Sequence, residues 1–210
     1  MVSSRSLVFW GILIMVLGCL LLCFAFPVLT WVSVEVDEYG ISFSFPNTWA
    51  MTQGEEILPN LDSLLDGQED QQARVNSIEP ESDALYYQAK LCDSTSSATM
   101  HISAYPLDND NAKAEHYASA MQYMREQTND NYLLFLIRDV EVDGYESYQS
   151  IDTFRQIYDD CNCNKQVILV ASYTVANNHL YHFTLLEDNW LNFARDFKIY
   201  QRLVEKVNIQ

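Results

Sequence analysis

Two kinds of hydrophobic pattern divide the chain. Leu7–Phe26, LVFWGILIMVLGCLLLCFAF, is twenty uncharged, almost wholly apolar residues ending at Pro27. Beyond Glu35 the apolar positions are spaced by two or by three and four. In Tyr39–Trp49 (YGISFSFPNTW), Ile41, Phe43 and Phe45 fall on one face and Ser42 and Ser44 on the other, the alternation of a half-buried strand closed by Pro46. Ala84–Leu91 and Ala98–Leu107 read as strands around the turn-like Cys92–Ser97. Ala112–Gln127 predicts a helix, capped from Asp108–Asn111, with Ala114, Tyr117, Ala118, Met121 and Met124 on one stripe. Tyr132–Val142, Tyr145–Tyr158, Gln166–Val175 and His179–Leu186 then predict strands, joined by Asp143-Gly144, Asp159–Lys165 and Asn177-Asn178. A final helix is expected from Asn189 to about Lys206, capped by Asp188. Thr52–Pro80 lacks regular periodicity, apart from Ile57, Leu61, Leu64 and Leu65, which suit one side of a short helix. This order predicts an α+β domain in which helices pack on an antiparallel sheet.

At 1.5 Å per residue the apolar run is about 30 Å long as a helix, the thickness of a bilayer's hydrocarbon core. Leu7 and Phe26 bound the expected membrane anchor, and Trp10 and Trp31 near its ends suit the headgroup layer. Arg5 precedes the run and Glu35, Asp37 and Glu38 follow it. The positive-inside bias therefore puts residues 1–6 in the cytoplasm, 7–26 across the cell membrane as a single pass, 27–38 as a linker and 39–210 outside as the folded domain. Two alternatives place the domain on the same side. A cleaved signal usually has a shorter apolar core than this one. A lipidated Cys19 would follow from Val16-Leu17-Gly18-Cys19, although the apolar run continues past it.

Charge narrows the partners. Arg5 is the only charged side chain before Glu35, so the rest holds 11 of the 12 basic and all 29 acidic residues, a balance of −18. Nucleic acid is excluded as an expectation, because its binding needs Lys and Arg on phosphates. The same balance argues against the domain lying flat on an anionic bilayer. The exported cysteines are Cys92, Cys161 and Cys163, an odd number in an oxidising compartment. One disulfide from Cys92 to either member of the Cys161-Asn162-Cys163 pair would leave one thiol.

No chemistry is legible in the motifs. There is no G-x-S-x-G turn, no H-E-x-x-H and no glycine-rich phosphate loop, and the chain has only 6 Gly. His179 and His182 are three apart on a strand and point to opposite faces, so they cannot chelate one ion together. Asp108–Asn111 begins like a calcium loop, but Lys113 stands where the loop needs Gly. No catalytic, metal or cofactor residue is assigned.

Tyr39–Trp49 is similar to the opening strand of the PsbP-like family, of the form G-I-x-F-x-x-P-x-x-W. Val167–Leu186 followed by Phe193–Val207 resembles that family's C-terminal hairpin and helix. The family includes the lumenal extrinsic subunit of photosystem II and many exported bacterial proteins, and the likeness spans most of Glu35–Gln210. It implies an α/β/α sandwich with a central antiparallel sheet. Photosynthetic members serve calcium and chloride at the oxygen-evolving centre by docking on a membrane complex, and no residue here matches such a site. The expectation is a membrane-anchored, extracytoplasmic, non-enzymatic interaction or accessory domain, with a membrane-protein complex as a candidate partner. A binder of small ligands or divalent cations is the alternative, and an enzyme whose site the linear sequence hides comes third. Nothing in the sequence selects an oligomeric state.

Overall fold

The computed structural model describes residues 30–57, 85–107, 113–128, 131–158 and 163–210. Leu7, Trp10, Phe26, Cys161, the Asp108–Asn111 cap and the helix expected around Leu61 lie outside them. Among the described residues no helix is long and apolar enough to cross a membrane. The elements run β1 (Trp31–Val36), a 3-10 turn (Asp37–Tyr39), β2 (Ile41–Pro46), β3 (Trp49–Ile57), β4 (Leu85–Asp93), β5 (Thr99–Pro106) and α1 (Ala114–Thr128). They continue with β6 (Leu133–Val142), β7 (Tyr145–Tyr158), β8 (Cys163–Ala176), β9 (His179–Glu187), α2 (Trp190–Val204) and β10 (Asn208–Ile209).

The large sheet has the order β3-β4-β5-β9-β8-β7-β6, and every pairing in it is antiparallel. Two of its hairpins turn on residues that tolerate positive φ, Asp143-Gly144 and Asn177-Asn178. On β8 the odd positions Val167, Leu169, Ala171 and Tyr173 pack with Tyr117 and Ala118 of α1. The even positions face the other way, where the Tyr200 hydroxyl of α2 donates to Ser172 Oγ at 2.7 Å. One helix therefore covers each face, although strands outnumber helices heavily.

A smaller sheet, β1-β2-β10, lies on the α2 side of the large one. Ile41, Phe43 and Phe45 are all buried, as their alternation requires. Tyr181 of β9 ties the two sheets together by donating its hydroxyl to Tyr39 O at 2.9 Å.

Three expectations need correction. The folded unit begins at Trp31 and not at Tyr39, because β1 pairs with β2 along its length instead of forming a linker. Residues 52–57, read as part of the aperiodic stretch Thr52–Pro80, belong to edge strand β3, which starts at Trp49. Ala50, Thr52 and Gln53 are exposed there, so the stretch after the buried Trp49 carries little alternation to detect. The α2 cap is Asn189, whose side chain accepts from Leu191 N at 3.0 Å, and not Asp188, which is held by Ser97 and Lys165.

Candidate functional site

Charged side chains are buried on both faces of the large sheet. Arg125 belongs to the apolar stripe of α1, four residues after Met121 and seven after Ala118, so helical geometry aims it at the sheet. Asp152 shares a β7 face with Tyr148, Ser150 and Phe154 and is 0% exposed. Arg125 Nη2 meets Asp152 Oδ2 at 2.9 Å, and Nη1 donates to the Tyr173 hydroxyl at 3.1 Å. Tyr132 is buried at its hydroxyl beside this pair. Burial pushes the Asp152 carboxyl upward, and the guanidinium draws it part of the way back. Burial opposes the Arg125 charge, and Tyr173 with Asp152 more than restores it.

His182 stacks on Tyr173 from β9, and its Nε2 is buried without a hydrogen-bond partner. Burial, and then Arg125 and His101, push its pKa down to about 3, so the ring is neutral at pH 7. His179 faces the opposite side, against Tyr39 and Tyr181, as the alternation of a strand demands. The Arg125 group lies between α1 and the sheet, and its partners are accounted for by packing and charge balance.

A second cluster joins the β4–β5 turn to α2. Asp93, Glu187 and Asp196 are all buried. Arg195 bridges two of them, Nη2 to Asp93 Oδ2 at 2.9 Å and Nε to Asp196 Oδ1 at 2.7 Å. Thr95 and Ser96 donate to Asp93, while Ser97 Oγ and Asn189 N donate to Glu187 Oε1, each at 2.7 Å. Burial holds Glu187 above the usual carboxylate range, Asp196 adds to the rise, and Ser97 works against both. Among the described residues no group of three or more His, Cys, Asp or Glu is arranged to hold a metal ion.

Among the described residues, one cleft open to solvent, of about 290 Å³, lies at the start of α1, lined by Lys113, Glu115, Asp139, Glu146, Tyr148 and their neighbours. Three carboxylates against one ammonium give it a negative balance. No nucleophile–base pair lines it.

Cys92 is a free thiol on β4. Cys163 begins β8, and strands β5 and β9 run between β4 and β8, so the fold does not bring those two positions together. Trp31 is drawn into the folded unit: the Arg202 guanidinium and the Lys206 ammonium lie 5.1 and 4.9 Å from its ring centroid.

Arg125, Asp152 and Asp196 belong to no motif in the sequence. Each had a signal, a charge at a position whose spacing puts it on an apolar or inward face.

Known structures share this architecture. A cyanobacterial PsbP from Synechocystis superposes with a TM-score of 0.53 at 12% identity, over 88% of this chain and 95% of its own. The fold is PsbP-like. More distant likenesses are to the Ran-binding protein Mog1p of Saccharomyces cerevisiae (TM-score 0.48, 8% identity, 86% of this chain and 96% of that one). LpqN of Mycobacterium tuberculosis, involved in cell envelope biogenesis, is similar at TM-score 0.43 and 10% identity, over 88% and 92% of the two chains. No protein-family model and no curated sequence matches the chain.

Proposed function

We propose that this chain is a non-enzymatic accessory domain, held on the outer side of a cell membrane by Leu7–Phe26 and working by docking. The observation that carries the reading is a contiguous exposed apolar surface on a strongly acidic PsbP-like domain. Leu133 and Phe135 of β6 are each 59% exposed, and Trp190 of α2 is 55% exposed against the Phe135 ring. Monomeric surfaces rarely keep such a patch unless something binds it. The lone Arg5 before the run and the acidic residues after it support the outward orientation. A membrane-protein complex within reach of the anchor fits as the assembly served.

The test is purification of the full-length protein at native level from gently solubilised membranes. Co-purifying membrane proteins at stoichiometric yield are expected. Recovery of the chain alone at low salt would refute the accessory role. Protease added to intact cells should digest the domain, and complete protection would overturn the orientation.

The cleft favours a second reading, a small cationic ligand held by Glu115, Asp139 and Glu146. A thermal-shift series with diamines and polyamines tests it; an unchanged midpoint at millimolar ligand removes it.

A further inference from the structure

The acidic balance of the chain is unevenly spread. Four of its 12 basic residues, Arg195, Lys198, Arg202 and Lys206, fall within twelve positions in and just after α2. The two acids of that stretch are Asp196, fully buried and paired with Arg195, and Glu205. The exposed side of α2 therefore offers Lys198, Arg202 and Lys206 against Glu205 alone.

The N-terminal end of the same helix is apolar and open. Leu191 is 91% exposed, and Trp190 packs edge-on against Phe135 with ring centroids 6.2 Å apart. A register shift between Leu134 and Leu136 in the β6–β7 pairing marks a bulge at Phe135. The bulge directs Phe135 to the α2 side, where Leu133 and Leu136 are already exposed. At the C-terminal end, Trp31 lies beneath Arg202 and Lys206. The fifteen residues of α2 put about 22 Å between these ends.

We propose that this face, from Leu191 and the Phe135 bulge along α2 to Trp31, lies on the surface of an anionic lipid bilayer, with Trp190 and Leu191 in the headgroup layer. The proposal rests on the reading of Leu7–Phe26 as an anchor. On that reading five chain steps separate Phe26 from Trp31, a reach of at most about 18 Å. Aromatic rings beside a basic helix face are the composition that binds such interfaces. The net charge of −17 does not forbid it, because charges beyond a Debye length of about 8 Å are screened and only the facing side chains act. A second copy of the chain is a poorer occupant. Face to face, two copies would set Lys198, Arg202 and Lys206 against the same cations, and the bulge interrupts the hydrogen-bonding row of the β6 edge. Docked in this way, the β6 edge with Leu133 and Leu136 stays beside the bilayer, where a membrane-protein partner would meet it, and α1 with the acidic cleft faces away from the lipid.

The test uses the full chain reconstituted in nanodiscs whose acyl chains carry bromine, a contact quencher of tryptophan fluorescence. Discs of phosphatidylcholine alone are compared with discs containing about a quarter phosphatidylglycerol. The difference between wild type and Trp190→Phe isolates Trp190 from Trp10, Trp31 and Trp49. Trp190 should be quenched in the anionic discs, and Lys198→Glu with Arg202→Glu should remove more than about half of that quenching. All three side chains are exposed, so an unchanged circular dichroism spectrum is expected and serves as the folding control. Equal quenching of wild type and Trp190→Phe in anionic discs overturns the docking. Carbonate extraction of the same membranes reads the anchor separately. A retained chain with an unquenched Trp190 refutes the docking alone, while an extracted chain whose Trp190 is still quenched refutes the anchor alone.

Discussion

The imidazole of His182 lies flat on the ring of Tyr173, centroids 4.5 Å apart and planes 11° apart, with its Nε2 buried and unpartnered. A ring held so cannot take up a proton without charging a site already beside Arg125. The native state therefore keeps His182 neutral down to about pH 3, whereas the unfolded chain protonates it near 6.5. Between those values the unfolded state binds more protons, so this group's contribution to stability falls as pH falls, by no more than about 1.4 kcal/mol per unit. His182→Phe keeps the stack and removes the titration. Urea unfolding at a series of pH values should show a flatter acid limb for the variant than for wild type.

Arg125 and Asp152 should be strongly coupled. Arg125→Met leaves the carboxylate buried without its cation and is expected to cost about 3–5 kcal/mol. Asp152→Leu strands the guanidinium in the same way. The double variant should lose far less than the sum of the two, and a double-mutant cycle by denaturant unfolding measures the difference. Additive losses would mean that the pair does not act as a unit.

Glu187 behaves in the opposite sense to His182. Its native pKa is raised, so the folded state binds the proton more tightly than the unfolded chain and this group's contribution grows as pH falls. Glu187→Gln mimics the protonated form and keeps an oxygen for Ser97 and Asn189. It should raise the thermal midpoint at pH 7, with a gain that shrinks to nothing near pH 4. Differential scanning calorimetry at both pH values checks the sign.

Gly40 has φ +57°, and a Cβ there would meet Gln210 O at 2.9 Å. The same residue's carbonyl accepts from Gln210 N at 2.8 Å, pinning the chain end to β2. Gly40→Ala meets both the left-handed penalty and the backbone contact, an expected loss of about 1–2 kcal/mol. Amide exchange at Ile209 and Gln210 should rise ahead of the core in that variant.

Local chemistry alone determined much of this molecule. The alternation of Ile41, Phe43 and Phe45, the turns at Asp143-Gly144 and Asn177-Asn178, and the stripe from Ala114 to Ala118 act between near neighbours, so the sequence specifies them directly. Strand β3 escaped because Ala50, Thr52 and Gln53 are exposed, and only pairing with β4, across a long intervening segment, makes it a strand. Tertiary structure decided what depends on distant partners. It set the order β3-β4-β5-β9-β8-β7-β6 and brought Arg125 to Asp152 and Tyr173. It also set the Trp31 ring under Arg202 and Lys206. The basic side of α2 was invisible in a net charge, since a sum over the chain discards position. Folding restores position by burying Asp196, which Arg195 neutralises from the surface, and leaving Lys198, Arg202 and Lys206 exposed together.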